Sequence, residues 1–232
     1  MCSNNSQRAF ALIKFFSKKD HYLNFISGTS LFRPPHYYRT CEDIGRGDRN
    51  ESCLLYWNIK FGGNKPKFLK PDGTDLIGHK VESVLVYPAS EPHDAWMQSW
   101  AVIGSHNDFE HSLEQMQQEF GCYFVLLPAS KIKHYARLVE KTAKAQVSYG
   151  LVSYSNNPMG RSLTMKDSRY NYQKEFRFFA GQCSKGELQD KPLELPNLNS
   201  LLLEGQSLKF TSPNGIIKYC SAGYNSTVIV KP

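Results

Sequence analysis

The sequence predicts an α+β fold in one domain, and three observations carry that prediction. Two aromatic-rich runs, Phe10–Phe16 and Tyr170–Phe179, read as strands, and the second alternates as a half-buried strand requires. Three other segments place apolar residues at helical spacing, bounded by start and stop residues. Strands and helices do not alternate strictly, which argues against a doubly wound parallel sheet. Residues 1–9 are polar and are expected to be poorly ordered, leaving 10–232 as a single domain with about three helices.

The first strand, Phe10–Phe16, hands over to a helix across Lys18–Ser27. Ser17 is its expected cap, with Asp20 three residues on as the capping-box partner and Gly28 as the stop. Ser30–Phe32 resumes an extended segment, ended by Pro34-Pro35, and His36–Ser52 is polar and turn-rich. Strands are expected at Cys53–Phe61, Val81–Tyr87 and Trp96–Ile103. Asn107 opens a second helix on which Phe109, Leu113, Met116 and Phe120 share a face, and Gly121 closes it. Cys122–Leu127 is a short apolar strand, after which Ser130 is the expected cap of a basic helix.

In that helix Ile132, Ala136, Val139 and Ala143 form an apolar stripe beside Lys133, Arg137, Lys141 and Lys144. Val147–Tyr154 alternates as a strand, a loop follows over Asn156–Lys166, and the aromatic strand comes next. There Phe176 and Phe178 should face one side, with Glu175, Arg177 and Phe179 on the other. Short strands are expected at Leu201–Leu203, Leu208–Thr211, Ile216–Tyr219 and Thr227–Val230.

Composition narrows the function class. Of 232 residues 41% are hydrophobic and 21% charged, the balance of a globular chain with a real core. No apolar run approaches the roughly 18–20 residues of a membrane span, and the start lacks a secretory signal, so a cytoplasmic protein is expected. Six cysteines without a C-x-x-C pair are expected to be reduced thiols, and no His/Cys spacing points to a metal. A net charge of +7 favours anionic partners. The basic helix face over Lys133, Arg137, Lys141 and Lys144 is either a solvated surface or one that tracks phosphates of RNA or DNA.

Gly45-Arg46-Gly47-Asp48-Arg49 is a flexible turn whose Arg46 and Arg49 suit a pyrophosphate or phosphodiester. Glu175 is either a working acid or a strand-end carboxylate paired with Arg177 or Lys174, whose replacement would cost at most about 1 kcal/mol. No Walker loop, nucleophile elbow or dinucleotide G-x-G-x-x-G is present.

The order Lys14-Phe15-Phe16-Ser17, Gly28, Arg46–Glu51 and Tyr172-Gln173-Lys174-Glu175-Phe176-Arg177 resembles an uncharacterised bacterial family. Its layout is similar to ADP-ribosyltransferase toxins, including DarT-like enzymes that modify nucleic acid and mRNA-modifying toxins of phage defence. The likeness covers roughly residues 10–52 and 147–180. It implies an ADP-ribosyltransferase-like fold with NAD as substrate, no metal, and a neutralising antitoxin as partner. Lys14 stands where that group has the His or Arg that binds the NAD ribose. Phe15 or Phe16 would stack on nicotinamide, Arg46 and Arg49 would hold the pyrophosphate, and Tyr149 or Tyr154 would supply the middle-strand element. Glu175 would be the catalytic glutamate, stabilising positive charge on the ribose as nicotinamide leaves. Two other classes fit the residues: a metal-dependent nuclease using Glu42, Asp43 and Glu51, and a non-enzymatic binding or inhibitor module using the basic surface.

Overall fold

A computed structural model describes residues 11–41, 55–61, 67, 69–75, 81–86, 94–103, 109–156, 162–205, 207–211, 217–221 and 228–231. The fold is α+β, organised on one antiparallel sheet. The elements that build the site begin with β1 (Ala11–Phe16), α1 (Lys19–Ser27), β2 (Thr29–Phe32) and α2 (Pro35–Thr40). Next come β3 (Leu55–Asn58), β4 (Ser83–Val86), β5 (Asp94–Ile103), α3 (Phe109–Phe120), β6 (Tyr123–Pro128) and α4 (Ile132–Ala143). The chain continues through β7 (Val147–Leu151), β8 (Ser153–Ser155), β9 (Met165–Asp167), β10 (Glu175–Cys183), β11 (Lys191–Glu194) and β12 (Leu203–Gly205). It closes with β13 (Ser207–Thr211), β14 (Ile217–Ser221) and β15 (Val228–Lys231), which pair as a small sheet.

The main sheet has the order β12-β6-β1-β5-β10-β7, every neighbour antiparallel. Side chains alternate across it, so it buries both faces. On one face Phe25 of α1 and Tyr135, Ala136 and Val139 of α4 pack on Leu12, Trp100, Val102 and Phe178. On the other, Leu113 and Met116 of α3 pack on Ile13, Ala101, Ile103 and Phe124. Burying one side chain of this size contributes about 1.5–3 kcal/mol, so the two layers fix the sheet firmly between helices. The expected split of the aromatic strand holds: Phe176 and Phe178 belong to the α1/α4 face, while Glu175 and Arg177 leave on the other.

Several expected starts are displaced. Lys18 rather than Ser17 holds the cap position of α1, and no side chain bonds there; Gly28 does end the helix, at φ 123°. Lys131 rather than Ser130 precedes α4, again without a side-chain cap, because Ala129–Lys131 already form a 3-10 turn. Pro35 starts α2 instead of merely ending the extended segment, since a proline ring suits the first helical position. The aromatic strand begins only at Glu175: Ser168–Gln173 is a 3-10 turn, capped by the Asp167 side chain and ended by Lys174 at φ 42°. The expected strand over 147–154 divides at Val152, because β7 pairs with β10 whereas β8 pairs in parallel with β9. Met165 and Lys166, expected in a loop, therefore lie on a strand.

Candidate functional site

The site forms where the sheet forks. β5 pairs with β1 only from Ala11↔Ile103 to Ile13↔Ala101. Four residues earlier, Met97 exchanges both backbone hydrogen bonds with Arg33, at 2.8 and 2.9 Å, just beyond β2. Ser99 lies between these two partners, in the gap they leave. There the Lys14 ammonium donates to the Ser99 carbonyl at 3.0 Å. Its aliphatic stem and charge sit among aromatics, with the Phe16 and Trp100 ring centres 5.9 and 5.8 Å from the nitrogen, within cation–π range.

A cavity of about 670 Å³ opens at this fork, a size typical of small-molecule sites. Because the strands part, the cavity is lined from both sheet faces: Phe16 and Trp100 on one, Phe15, Glu175 and Arg177 on the other. Among the described residues, five lysine or arginine side chains, Lys14, Lys18, Arg33, Lys166 and Arg177, line it against one carboxylate, Glu175. The lining is thus cationic and aromatic, the combination that receives an anionic ligand carrying flat rings.

Glu175 is held by a buried cluster of charged side chains. It is 6% exposed, and Arg177 binds it through both oxygens, Nε to Oε1 at 3.0 Å and Nη2 to Oε2 at 3.2 Å. Lys166 Nζ lies 3.2 Å from Oε2, and the Ser99 side chain lies beside the carboxylate on the same sheet face. Burial alone would raise the Glu175 pKa; the charges of Arg177 and then Lys166 outweigh it and bring it down to about 2. The carboxylate is therefore ionised across the physiological range. Its cations are fixed in turn: Arg177 Nη1 donates to the Leu163 carbonyl at 2.6 Å, and Lys166 donates to Gln173 Oε1 at 3.0 Å. Gln173 reaches the Tyr172 hydroxyl, which donates to Glu119 on α3.

The structure brings Lys14, Phe15, Phe16 and Glu175 to one cavity, as expected from the two chain ends. Tyr154 does not line it. Its hydroxyl accepts the Glu175 backbone N–H at 2.8 Å, and burial followed by the Glu175 charge raises its pKa. Tyr149 stacks against Phe176 and Phe178 on β7, also away from the cavity. Lys133, Arg137, Lys141 and Lys144 are exposed on the outer side of α4, and Lys144 ends the helix at φ 50°. Arg46 and Arg49, with Glu42, Asp43 and Glu51, lie outside the described residues. Of the two expected partners of Glu175, Arg177 is one; Lys174 instead donates to Asn171. The pairing is buried rather than at an exposed strand end, so the expected cost of about 1 kcal/mol is an underestimate.

Sequence reasoning missed Ser99, Lys166, Gln173 and Arg33. Lys166 sits on a three-residue strand, too short for any periodic signal. Ser99 is ordinary in composition and acquires its place only from the fork. Among the described residues no group of three or more His, Cys, Asp or Glu could hold a metal, and Cys41, Cys122 and Cys183 are free thiols. No described helix is long and apolar enough to cross a membrane. Comparison with family models, curated proteins and solved structures returned no match.

Proposed function

We propose that this chain binds NAD in the cleft and transfers its ADP-ribose to a macromolecular acceptor, with nucleic acid favoured. The observation that carries the reading is the convergence of Lys14 and Glu175 around Ser99 in one cationic, aromatic-walled cavity. In this reading the bond between the nicotinamide nitrogen and the ribose anomeric carbon breaks, its electron pair leaving with nicotinamide. A nucleophilic oxygen or nitrogen of the acceptor then bonds to that carbon and loses its proton to solvent. Glu175, with a pKa of about 2, contributes as a fixed negative charge rather than as a proton carrier. A ribose placed at Ser99, beside this carboxylate, would bring a hydroxyl to it. Phe16 and Trp100 would wall off water from the cationic ribose.

The same full set of donors favours a second reading, in which Glu175 only braces the sheet and the chain is a binding module. Thermal denaturation in rising NAD separates them at the first step. A ligand held only by the native state raises the midpoint once its concentration passes the dissociation constant. Nicotinamide release in the same samples supports the transferase; no shift at millimolar NAD supports the module.

A further inference from the structure

We propose that Arg33 is the phosphate anchor of this cleft, holding the pyrophosphate of a nucleotide whose ribose lies at Ser99; the proposal rests on the nucleotide-binding part of the reading above. The Arg33 backbone is clamped to Met97 by two hydrogen bonds. Residues paired across antiparallel strands share a face, so the Arg33 side chain leaves on the side of Met97, Ser99 and Glu175. Met97 is two residues from Ser99, roughly 6–7 Å along the strand. That is comparable with the span from a ribose anomeric carbon to its 5′-phosphate.

The guanidinium is positioned without being used up. Its Cζ lies 4.3 Å from the centre of the Tyr37 ring, within cation–π range, and Nε donates to Asp190 Oδ2 at 3.3 Å. Among the described residues neither Nη group has a hydrogen-bond partner, and the side chain lines the cavity. The contact with the Tyr37 ring and a single bond at Nε hold the fork while leaving its outer donors for a ligand, the geometry that a phosphate takes in two bonds. Lys18 and His21, from the start of α1, line the same cavity and add to the attraction for an anion.

The test is calorimetric binding of ADP-ribose, ADP, inorganic pyrophosphate, adenosine and nicotinamide to the full chain and to folded variants. Arg33→Gln should weaken ADP-ribose and ADP by roughly 10- to 100-fold and leave adenosine and nicotinamide unchanged. Arg33→Lys, which keeps the charge but not the fork, should fall between. The double variant Arg33→Gln with Asp190→Asn avoids leaving the aspartate unpaired and should behave as Arg33→Gln. Wild-type affinity for ADP-ribose in these variants overturns the proposal, as does a native chain that binds no phosphate-bearing probe. Arg33-dependent ADP binding without nicotinamide release from NAD upholds the anchor and removes the transferase. Nicotinamide release undiminished in Arg33→Gln does the reverse.

Discussion

Lys14 and Glu175 leave the sheet on opposite faces yet line one cavity around Ser99, whose carbonyl accepts the Lys14 ammonium and whose side chain shares the Glu175 face. The fork in β5 pairing makes this possible: with neither β1 nor β2 opposite Ser99, a lysine from one face can fill the gap. The carboxylate on the other face is held by charges of its own. Its behaviour with pH is the first consequence. The folded pKa of about 2 lies below the ordinary value of 4.5, so between these limits the unfolded chain binds more protons than the folded one. Stability from Glu175 is therefore complete above about pH 4.5 and lost as pH falls toward 2. Urea midpoints measured from pH 6 to 2 should drop steeply in this window, and Glu175→Gln should lack that component.

A second prediction concerns the scaffold under the cleft. Gln98 is 2% exposed and ties four groups: Tyr135 and the Trp100 indole donate to its Oε1, while its Nε2 donates to Ser30 and the Leu31 carbonyl. Gln98→Leu keeps the volume but strands the Trp100 N–H and the Leu31 carbonyl; Tyr135 retains Ser30 at 3.0 Å. Two orphaned groups at roughly 1–3 kcal/mol each should lower stability by about 3 kcal/mol. Tyr135→Phe, which strands nothing fully, should cost about 1 kcal/mol. Equal midpoints for the two variants would contradict this division.

Gly121 is the third. It follows α3 at φ 105°, where an added Cβ would lie 2.3 Å from the Ser17 Cα and 2.4 Å from the Phe16 carbonyl oxygen. Both obstacles are backbone, and they belong to the segment that carries Lys14 and Phe16 into the cleft. Gly121→Ala should therefore cost about 3 kcal/mol or more, and chemical denaturation would show it.

The sequence made legible what periodicity and turn chemistry control. The alternation Glu175–Phe179 sorted Phe176 and Phe178 from Glu175 and Arg177 correctly, because a two-residue period is a local property. The apolar stripe of α4 was equally local. The fork was not, since it depends on Arg33 displacing β1 as the partner of β5, a pairing between segments 64 positions apart. Lys166 was missed for the same reason: only the parallel pairing of β8 with β9 carries it to Glu175. The resemblance offered Tyr149 or Tyr154 as the middle-strand element, and tertiary packing places the Tyr154 hydroxyl on a backbone amide instead.

The exposed face of α4 yields a fourth prediction. Lys133 to Lys144 spans eleven residues, about 16 Å of helix, enough to meet two or three successive phosphates. If nucleic acid is the acceptor and lies on this face, Lys133→Glu with Lys141→Glu should weaken binding and flatten the salt dependence by about two phosphate equivalents. Both sites are exposed, so folding should be unchanged. An unaltered salt slope would mark the face as merely solvated.

The fifth prediction separates a working carboxylate from a bracing one. Glu175→Gln removes the carboxylate that pairs with Arg177 and Lys166, both buried, and should destabilise the chain by about 3–5 kcal/mol whatever Glu175 does in function. Loss of activity in that variant alone decides nothing. Glu175→Asp keeps the charge and draws it back by one methylene, so the pairing can relax at lower cost. A transferase needs the carboxylate within hydrogen-bond reach of the ribose, and a displacement of about 1 Å can reduce turnover by roughly 10²-fold. Nicotinamide release by Glu175→Asp should thus fall by that order with NAD affinity little changed, because the charge serves the transition state more than the bound substrate. The control is Lys166→Met with Glu175→Gln, which removes one cation together with the anion and should recover part of the lost stability without recovering turnover. Full turnover in folded Glu175→Asp or in the double variant would leave Glu175 as a brace of the sheet and take it out of the chemistry.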